Sequence, residues 1–147
     1  MSKIWYSIHN SGGYKNLEGI LYVQSYTITG EILSKKVQAS IDSFNKNHNW
    51  EEMWTIEDAK ERLNNNHQLF LGVDKDDKPL AHVWFNEDLL YNAYINPERE
   101  YGYGEGFIKA CLNSVKYDTV KLYCDDWNIR AQKFFEKVGF KQDNISK

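Results

Sequence analysis

Residues 69–95 hold three apolar, β-rich runs in close succession, LFLGV (69–73), LAHVWF (80–85) and LLYNAYI (89–95), and the third halts at Asn96-Pro97. The first two are separated by DKDDKP, a turn composition ended by Pro79, and predict a hairpin. The turn-like NED (86–88) leads into the third strand. Proline cannot continue a central strand, so the chain must leave the sheet at 96–97. It runs into REYGYGEG (99–106), with glycine at three alternate positions, and then into FIKACLNSVK (107–116), which reads as helix. TVKLYC (119–124) predicts a strand. NIRAQKFFEKV (128–138) predicts a helix with Gly139 as its C-cap, and Phe140 begins a short last strand. Helices that cross between the last strands require parallel neighbours there.

The first half of the chain is less explicit. KIWYSIH (3–9) predicts a strand, SGG (11–13) a turn and GILYVQSYTI (19–28) a second β segment. Whether these two segments pair is open at this level. In GEILSKKVQASIDSF (30–44), Ile32, Leu33, Val37, Ile41 and Phe44 recur at helical spacing and give an amphipathic helix. NKNHNWEEMW (45–54) reads as a loop. Thr55 with Asp58 forms a capping-box variant that opens the helix TIEDAKERL (55–63). The order is β-(β)-α-α-β-β-β-α-β-α-β, an α/β chain whose 147 residues suit one domain, 1–147.

Charge narrows the partners. A net charge of −3 provides no basic excess for a phosphate backbone, so nucleic acid is not expected, while a cationic acceptor is compatible. Cys111 and Cys124 have no metal-ligand spacing and read as reduced core residues of an intracellular protein, so no metal is expected. The first residues lack the apolar core of a signal peptide and no run of eighteen apolar residues occurs, which predicts a cytoplasmic chain with no membrane partner.

A glycine-rich link between a strand and a helix is a ready anion site. The first turn of the helix carries unpaired N–H groups and partial positive charge, and glycines allow a phosphate close to the backbone. No Lys-Ser/Thr pair follows, so this is not a Walker loop, and the antiparallel strands before it do not suit a dinucleotide fingerprint. Taken alone, the pattern also fits a tight turn. A second motif changes that balance. Arg99-x-x-Gly102-x-Gly104, followed by Asn128-x-x-Ala131-x-x-Phe134-Phe135-x-Lys137-x-Gly139-Phe140, resembles the GNAT family of acetyl-CoA-dependent N-acetyltransferases, with one helix and one strand between the two motifs as in that family. The resemblance covers residues 69–141.

The resemblance implies a mixed, mostly antiparallel sheet flanked by helices, with a parallel strand pair at the acetyl-CoA cleft. It implies that acetyl-CoA is the co-substrate and that the main-chain N–H groups of Tyr101, Gly102, Tyr103, Gly104 and Glu105 hold its pyrophosphate. The Glu105 carboxylate then points away, and Arg99 stands near the phosphates. Tyr94 and Ile95 offer their backbone to the pantetheine amides, and Asn128, also a good N-cap, bonds the coenzyme. Asp88 falls where one branch of the family places its catalytic base. His82, in mid-strand, reads as packed in or beside the sheet. Phe135 departs from the family, which often has a tyrosine acid there; Tyr123 and Cys124 are conceivable substitutes, though both also read as strand residues. Trp50, Trp54, Glu51 and Glu52 form either an ammonium-binding wall or packing under the helix pair. The acceptor implied is a primary amine, on a small molecule or a peptide, and a homodimer is left open. The competing reading is a degenerate member that binds acyl-CoA as a sensor or interaction module.

Overall fold

The structure is a computed structural model and describes residues 3–10, 23–26, 35–47, 54–74, 76, 78–97 and 102–142. Its elements are β1 (Lys3–His9), β2 (Val23–Tyr26), α1 (Lys35–Asn47), α2 (Ile56–Asn64), β3 (Gln68–Val73), β4 (Pro79–Asn86), β5 (Leu89–Ile95), α3 (Tyr103–Ser114), β6 (Thr119–Asp125), α4 (Ile129–Val138) and β7 (Lys141–Gln142). The seven strands form one sheet in the order β2-β3-β4-β5-β6-β1-β7. Every neighbouring pair is antiparallel except β5 and β6, which run parallel. The expected fold class, mixed and mostly antiparallel with one parallel pair, is the observed one.

The first two strands do not pair with each other. β1 lies between β6 and β7, and β2 pairs with β3 at the other end of the sheet. Helices cover both faces. Val37 and Ile41 of α1 and Ala59 and Leu63 of α2 pack on Leu69, Leu71 and Trp84. On the opposite face, Phe107, Ile108 and Leu112 of α3 and Phe135 and Val138 of α4 pack on Tyr6, Phe70, Val83 and Leu122. Strict alternation along β3 and β4 distributes these residues to the two faces. The expected capping box is present: the Asp58 N–H donates to Thr55 Oγ1, and the Thr55 N–H donates to Asp58 Oδ2 at 2.7 Å.

One boundary moves. α3 begins at Tyr103, four residues before the predicted Phe107, so Gly104 and Gly106 belong to its first turn and only Gly102 stands outside as N-cap. Ile32 and Leu33, expected on the first helix, lie outside the described residues.

Candidate functional site

β5 and β6 are in register at a single pair, Leu89 with Lys121, where the Lys121 N–H donates to the Asp88 carbonyl at 2.9 Å. Beyond that point both strands continue, to Ile95 and Asp125, without pairing among the described residues. A sheet that opens in its middle leaves a row of main-chain groups facing the gap.

A bulge in β5 decides which groups these are. Phe85 faces Leu90 but Trp84 faces Asn92, so Tyr91 is the extra residue. Past it, the Asn96 N–H donates to the Leu80 carbonyl at 2.7 Å. Counting back by two, Tyr94 and Asn92 turn their main chain to β4, and Ala93 and Ile95 turn theirs into the gap. Of the expected Tyr94–Ile95 pair, Ile95 therefore faces the gap with its backbone. Tyr94 does not; its hydroxyl bonds Ser43 Oγ at 2.7 Å and Asn47 Nδ2 at 3.0 Å on α1.

The gap widens into two connected spaces. A cleft of about 490 Å3 lies between α1 and α4 over the end of β5, bordered by Phe44, Asn47, Tyr94, Ile95, Pro97, Arg130 and Phe134. A space of about 250 Å3 reaches Lys3, Leu122, Tyr123, Cys124 and Asp125 on the β6–β1 side. Tyr91, Asn92, Ala93, Asn128, Ala131 and Phe135 line both.

The N-terminus of α3 opens on Gly102, whose φ of +84° is the left-handed conformation that favours glycine, and among the described residues no side chain caps the helix. Among the described residues, a Cβ built at Gly102 would meet nothing within 4 Å. Gly104 is different: a Cβ there would lie 2.6 Å from Ile95 Cδ1 and 3.1 Å from Phe134 Cε1. Its missing side chain admits the protein's own packing. The Tyr103 ring stacks on Phe107 and its hydroxyl donates to the Val73 carbonyl at 3.2 Å. Both aromatic rings lie over Gly72, where a Cβ would come within 2.5 Å of the Tyr103 hydroxyl. The Glu105 carboxylate is turned down the helix to Lys109, at 3.4 Å. Arg99 and Tyr101 lie outside the described residues.

Asn128 is the N-cap of α4, its Oδ1 accepting from the Ala131 N–H at 3.2 Å while the residue lines both spaces. Phe135 is 8% exposed, packed edge-on to Phe134 and Phe140, and presents a ring without a hydroxyl to the gap. The Cys124 thiol is pushed up to about 11, by burial first and by Asp125 second. Asp88 is not among the lining residues. It sits in the β4–β5 turn, its side chain 43% exposed, with Oδ2 4.0 Å from Lys121 Nζ. Trp54 lies 5.4 Å from Trp84 with the Arg62 guanidinium 4.2 Å above its ring, which is packing under the helix pair. Trp50, Glu51 and Glu52 lie outside the described residues.

His82 is 2% exposed. Its Nε2 is 3.0 Å from Asn92 Oδ1 and its Nδ1 is 2.8 Å from Ser40 Oγ. With the amide oxygen of Asn92 toward it, Nε2 must carry the proton, and Nδ1 accepts from the serine. Burial lowers this histidine to about 4, so it is neutral near pH 7. The chain Ser40–His82–Asn92 thus holds a wall residue of the gap. Asn92, polar in the middle of an apolar strand, was the available sequence signal for it; the Tyr91 bulge left none.

No known protein family and no curated protein matches the chain. Among solved structures, it resembles a functionally unknown conserved protein from Staphylococcus epidermidis (TM-score 0.66, 10% identity, 96% of this chain and 57% of that one). It also resembles a Drosophila protein (TM-score 0.63, 9% identity, 96% and 47%). A candidate acetyltransferase from Deinococcus radiodurans aligns over 91% of this chain and 90% of that one, with a TM-score of 0.56 and 18% identity. The chain spans about half the length of the first two. At these identities the likeness is one of fold.

Proposed function

We propose that the chain is an N-acetyltransferase that moves an acetyl group from acetyl-CoA to a primary amine by direct attack on the thioester. The observation that carries this reading is the unpaired stretch of β5 and β6 beside the uncapped end of α3. The main-chain groups that Ala93 and Ile95 turn into the gap, unpaired among the described residues, suit the amides of a pantetheine arm, which would join the sheet as an added strand. The first-turn N–H groups at Tyr103, Gly104 and Glu105 suit a pyrophosphate, with the Glu105 carboxylate held away by Lys109. The fold shared with a candidate acetyltransferase supports the same class.

In this reading, the neutral amine attacks the thioester carbon, the carbonyl oxygen takes the developing charge, the C–S bond breaks to release CoA thiolate, and the nitrogen gives up one proton through water, which leaves a neutral amide. Cys124, at about 11, is a weaker acid than an ordinary thiol near 8.5, so it is a poor proton donor to that thiolate. Water or Tyr123 remains for that role. Asp88 would act as base only through water; in that role Asp88→Ala lowers kcat by about a hundredfold, and a kcat within about twofold removes Asp88 from the mechanism.

Calorimetric titration of acetyl-CoA, with desulfo-CoA as a non-reacting control, tests the reading in wild type and Gly102→Asp. A carboxylate at 102 would occupy the first-turn amides without entering the core. Saturable binding that Gly102→Asp abolishes is expected; no binding by the wild type withdraws the proposal. Phe135 favours one second reading, an acyl-CoA sensor without turnover. Binding with no acetylation across a panel of primary amines would favour it.

A further inference from the structure

α1 packs on β4 and α2 on β3, both on one face of the sheet. Tyr6 and Ile8 of β1 point to the α3–α4 side, so Lys3, Trp5, Tyr123 and Asp125 alternate onto the face that carries α1 and α2. On that face Lys3 and Asp125 are cross-strand partners, as are Trp5 and Tyr123.

Lys3 makes an unusual pair of contacts there. Its Nζ donates to Asp125 Oδ1 at 2.9 Å and lies 4.8 Å from the centroid of the Tyr123 ring. Trp5 supports that ring from beside it, 5.0 Å between centroids. A carboxylate and an aromatic face around one nitrogen are what recognition of a primary ammonium requires. The same three side chains line the 250 Å3 space, which shares Asn92, Ala93 and Phe135 with the large cleft. The Lys3 side chain is 49% exposed and that of Asp125 only 22%, so the lysine can swing into water and leave the carboxylate behind in the wall.

We propose that Asp125 and Tyr123 form the docking site for the ammonium group of the acceptor, which gives one proton to water before it attacks as the neutral amine, and that Lys3 fills this site in the free protein as an internal stand-in. The site suits a primary ammonium, because the cradle is a single carboxylate with one ring face, and Leu90, Ala93, Leu122 and Phe135 beside it offer apolar wall to an alkyl chain. The inference rests on the acetyltransferase reading for its catalytic meaning, but the ammonium site stands on its own contacts.

Two readouts keep the failures apart. The first is binding of n-butylammonium, followed through the Tyr123 ring resonances by NMR. Lys3→Met is expected to tighten binding by about fivefold, and Asp125→Asn to weaken it by about the same factor. Asp125→Asn preserves the fold contacts of this residue, because Gln132 Nε2 and the Asn128 N–H bond its main-chain carbonyl and not its carboxylate. The second is acetyl transfer to n-butylamine: Asp125→Asn should raise KM for the amine and leave KM for acetyl-CoA unchanged. Butylammonium binding that is the same in wild type, Lys3→Met and Asp125→Asn overturns the proposal, whatever acetyl-CoA does. Failure of acetyl-CoA to bind while the amine binds as described overturns the transferase reading and leaves the ammonium site standing.

Discussion

α1 is fastened to β4 and β5 by polar side chains, Ser40 to His82 and Ser43 to Tyr94, with Asn45 holding the Trp54 backbone through both its amide atoms. On the opposite face, α3 and α4 bring Phe107, Ile108, Cys111, Phe135 and Val138 to the sheet, and their polar ties, Tyr6 to Glu136, Tyr103 to the Val73 carbonyl and Gln132 to the Asp125 carbonyl, reach β1, β3 and β6 but not β5. The difference separates two tasks. Hydrogen bonds are directional, and on the α1 side they fix the position of β5, whose other edge borders the gap. Apolar packing on the α3–α4 side is indifferent to direction, and among the described residues no side chain caps the first-turn amides of α3.

The largest expected effect strikes the packed side. Gly104→Trp would drive a large ring into Ile95 and Phe134, and overpacking of this kind costs about 3 kcal/mol or more. Urea denaturation should register that loss, and circular dichroism a disturbed fold. Any loss of acetyl-CoA binding in this variant would come through its structure, so it cannot separate ligand contact from folding, whereas a substitution at Gly102 can. Retained wild-type stability would mean that the α3–α4 side is far looser than its contacts imply.

The polar side should be sensitive to pH instead. His82 titrates at about 4 in the folded chain and near 6.5 when unfolded. The unfolded chain therefore binds the proton first. The contribution of the neutral histidine is complete above about pH 6.5 and is lost as pH falls toward 4, a total of about 3 kcal/mol. Wild type should lose more stability than His82→Gln between about pH 7 and pH 4.5. Equal losses in the two proteins would show that His82 is not the buried neutral group described.

Much of this was legible from residue patterns. Thr55 and Asp58 announced α2 because a capping box is local, and Asn96-Pro97 announced the end of β5 because proline cannot donate to a ladder. The glycine segment was only half legible. Alternation in REYGYGEG suggested one role for all three glycines, yet Gly104 answers to Ile95 and Phe134, which come from β5 and α4, and no local pattern encodes that approach. The same holds for Gly72 under Tyr103 and Phe107. Asp88 was placed by counting along the chain, and counting does not see that β5 and β6 are still paired at Leu89 and diverge only later. The position of β1 beside β6 was equally hidden, since it depends on a pairing between residues more than a hundred positions apart.

A smaller effect probes the fastening of β5. Tyr94→Phe removes a hydroxyl that bonds Ser43 and Asn47 and leaves the ring against Phe44. The loss is expected at about 1 kcal/mol by chemical denaturation. If α1 orients β5 for the coenzyme, KM for acetyl-CoA rises as well. A stability loss with KM unchanged would reduce the network to a structural role.

The finest test compares two helix ends, one closed by its own side chains and one bare. Thr55→Ala opens the capping box of α2 and should cost about 1 kcal/mol, with no effect on acetyl-CoA binding, because α2 lines neither space of the gap. Gly102→Ala puts a methyl group into open space at a φ of +84°. The strain of about 1 kcal/mol is partly offset by the reduced freedom of the unfolded chain, so the net loss should be smaller than that of Thr55→Ala. Its effect on acetyl-CoA should be larger, because the methyl group stands where a phosphate would approach the α3 amides. The two variants therefore rank in opposite orders for stability and for binding. The same order in both measurements would mean that the bare end of α3 differs from the capped end of α2 only in how it is closed, and that the coenzyme does not use it.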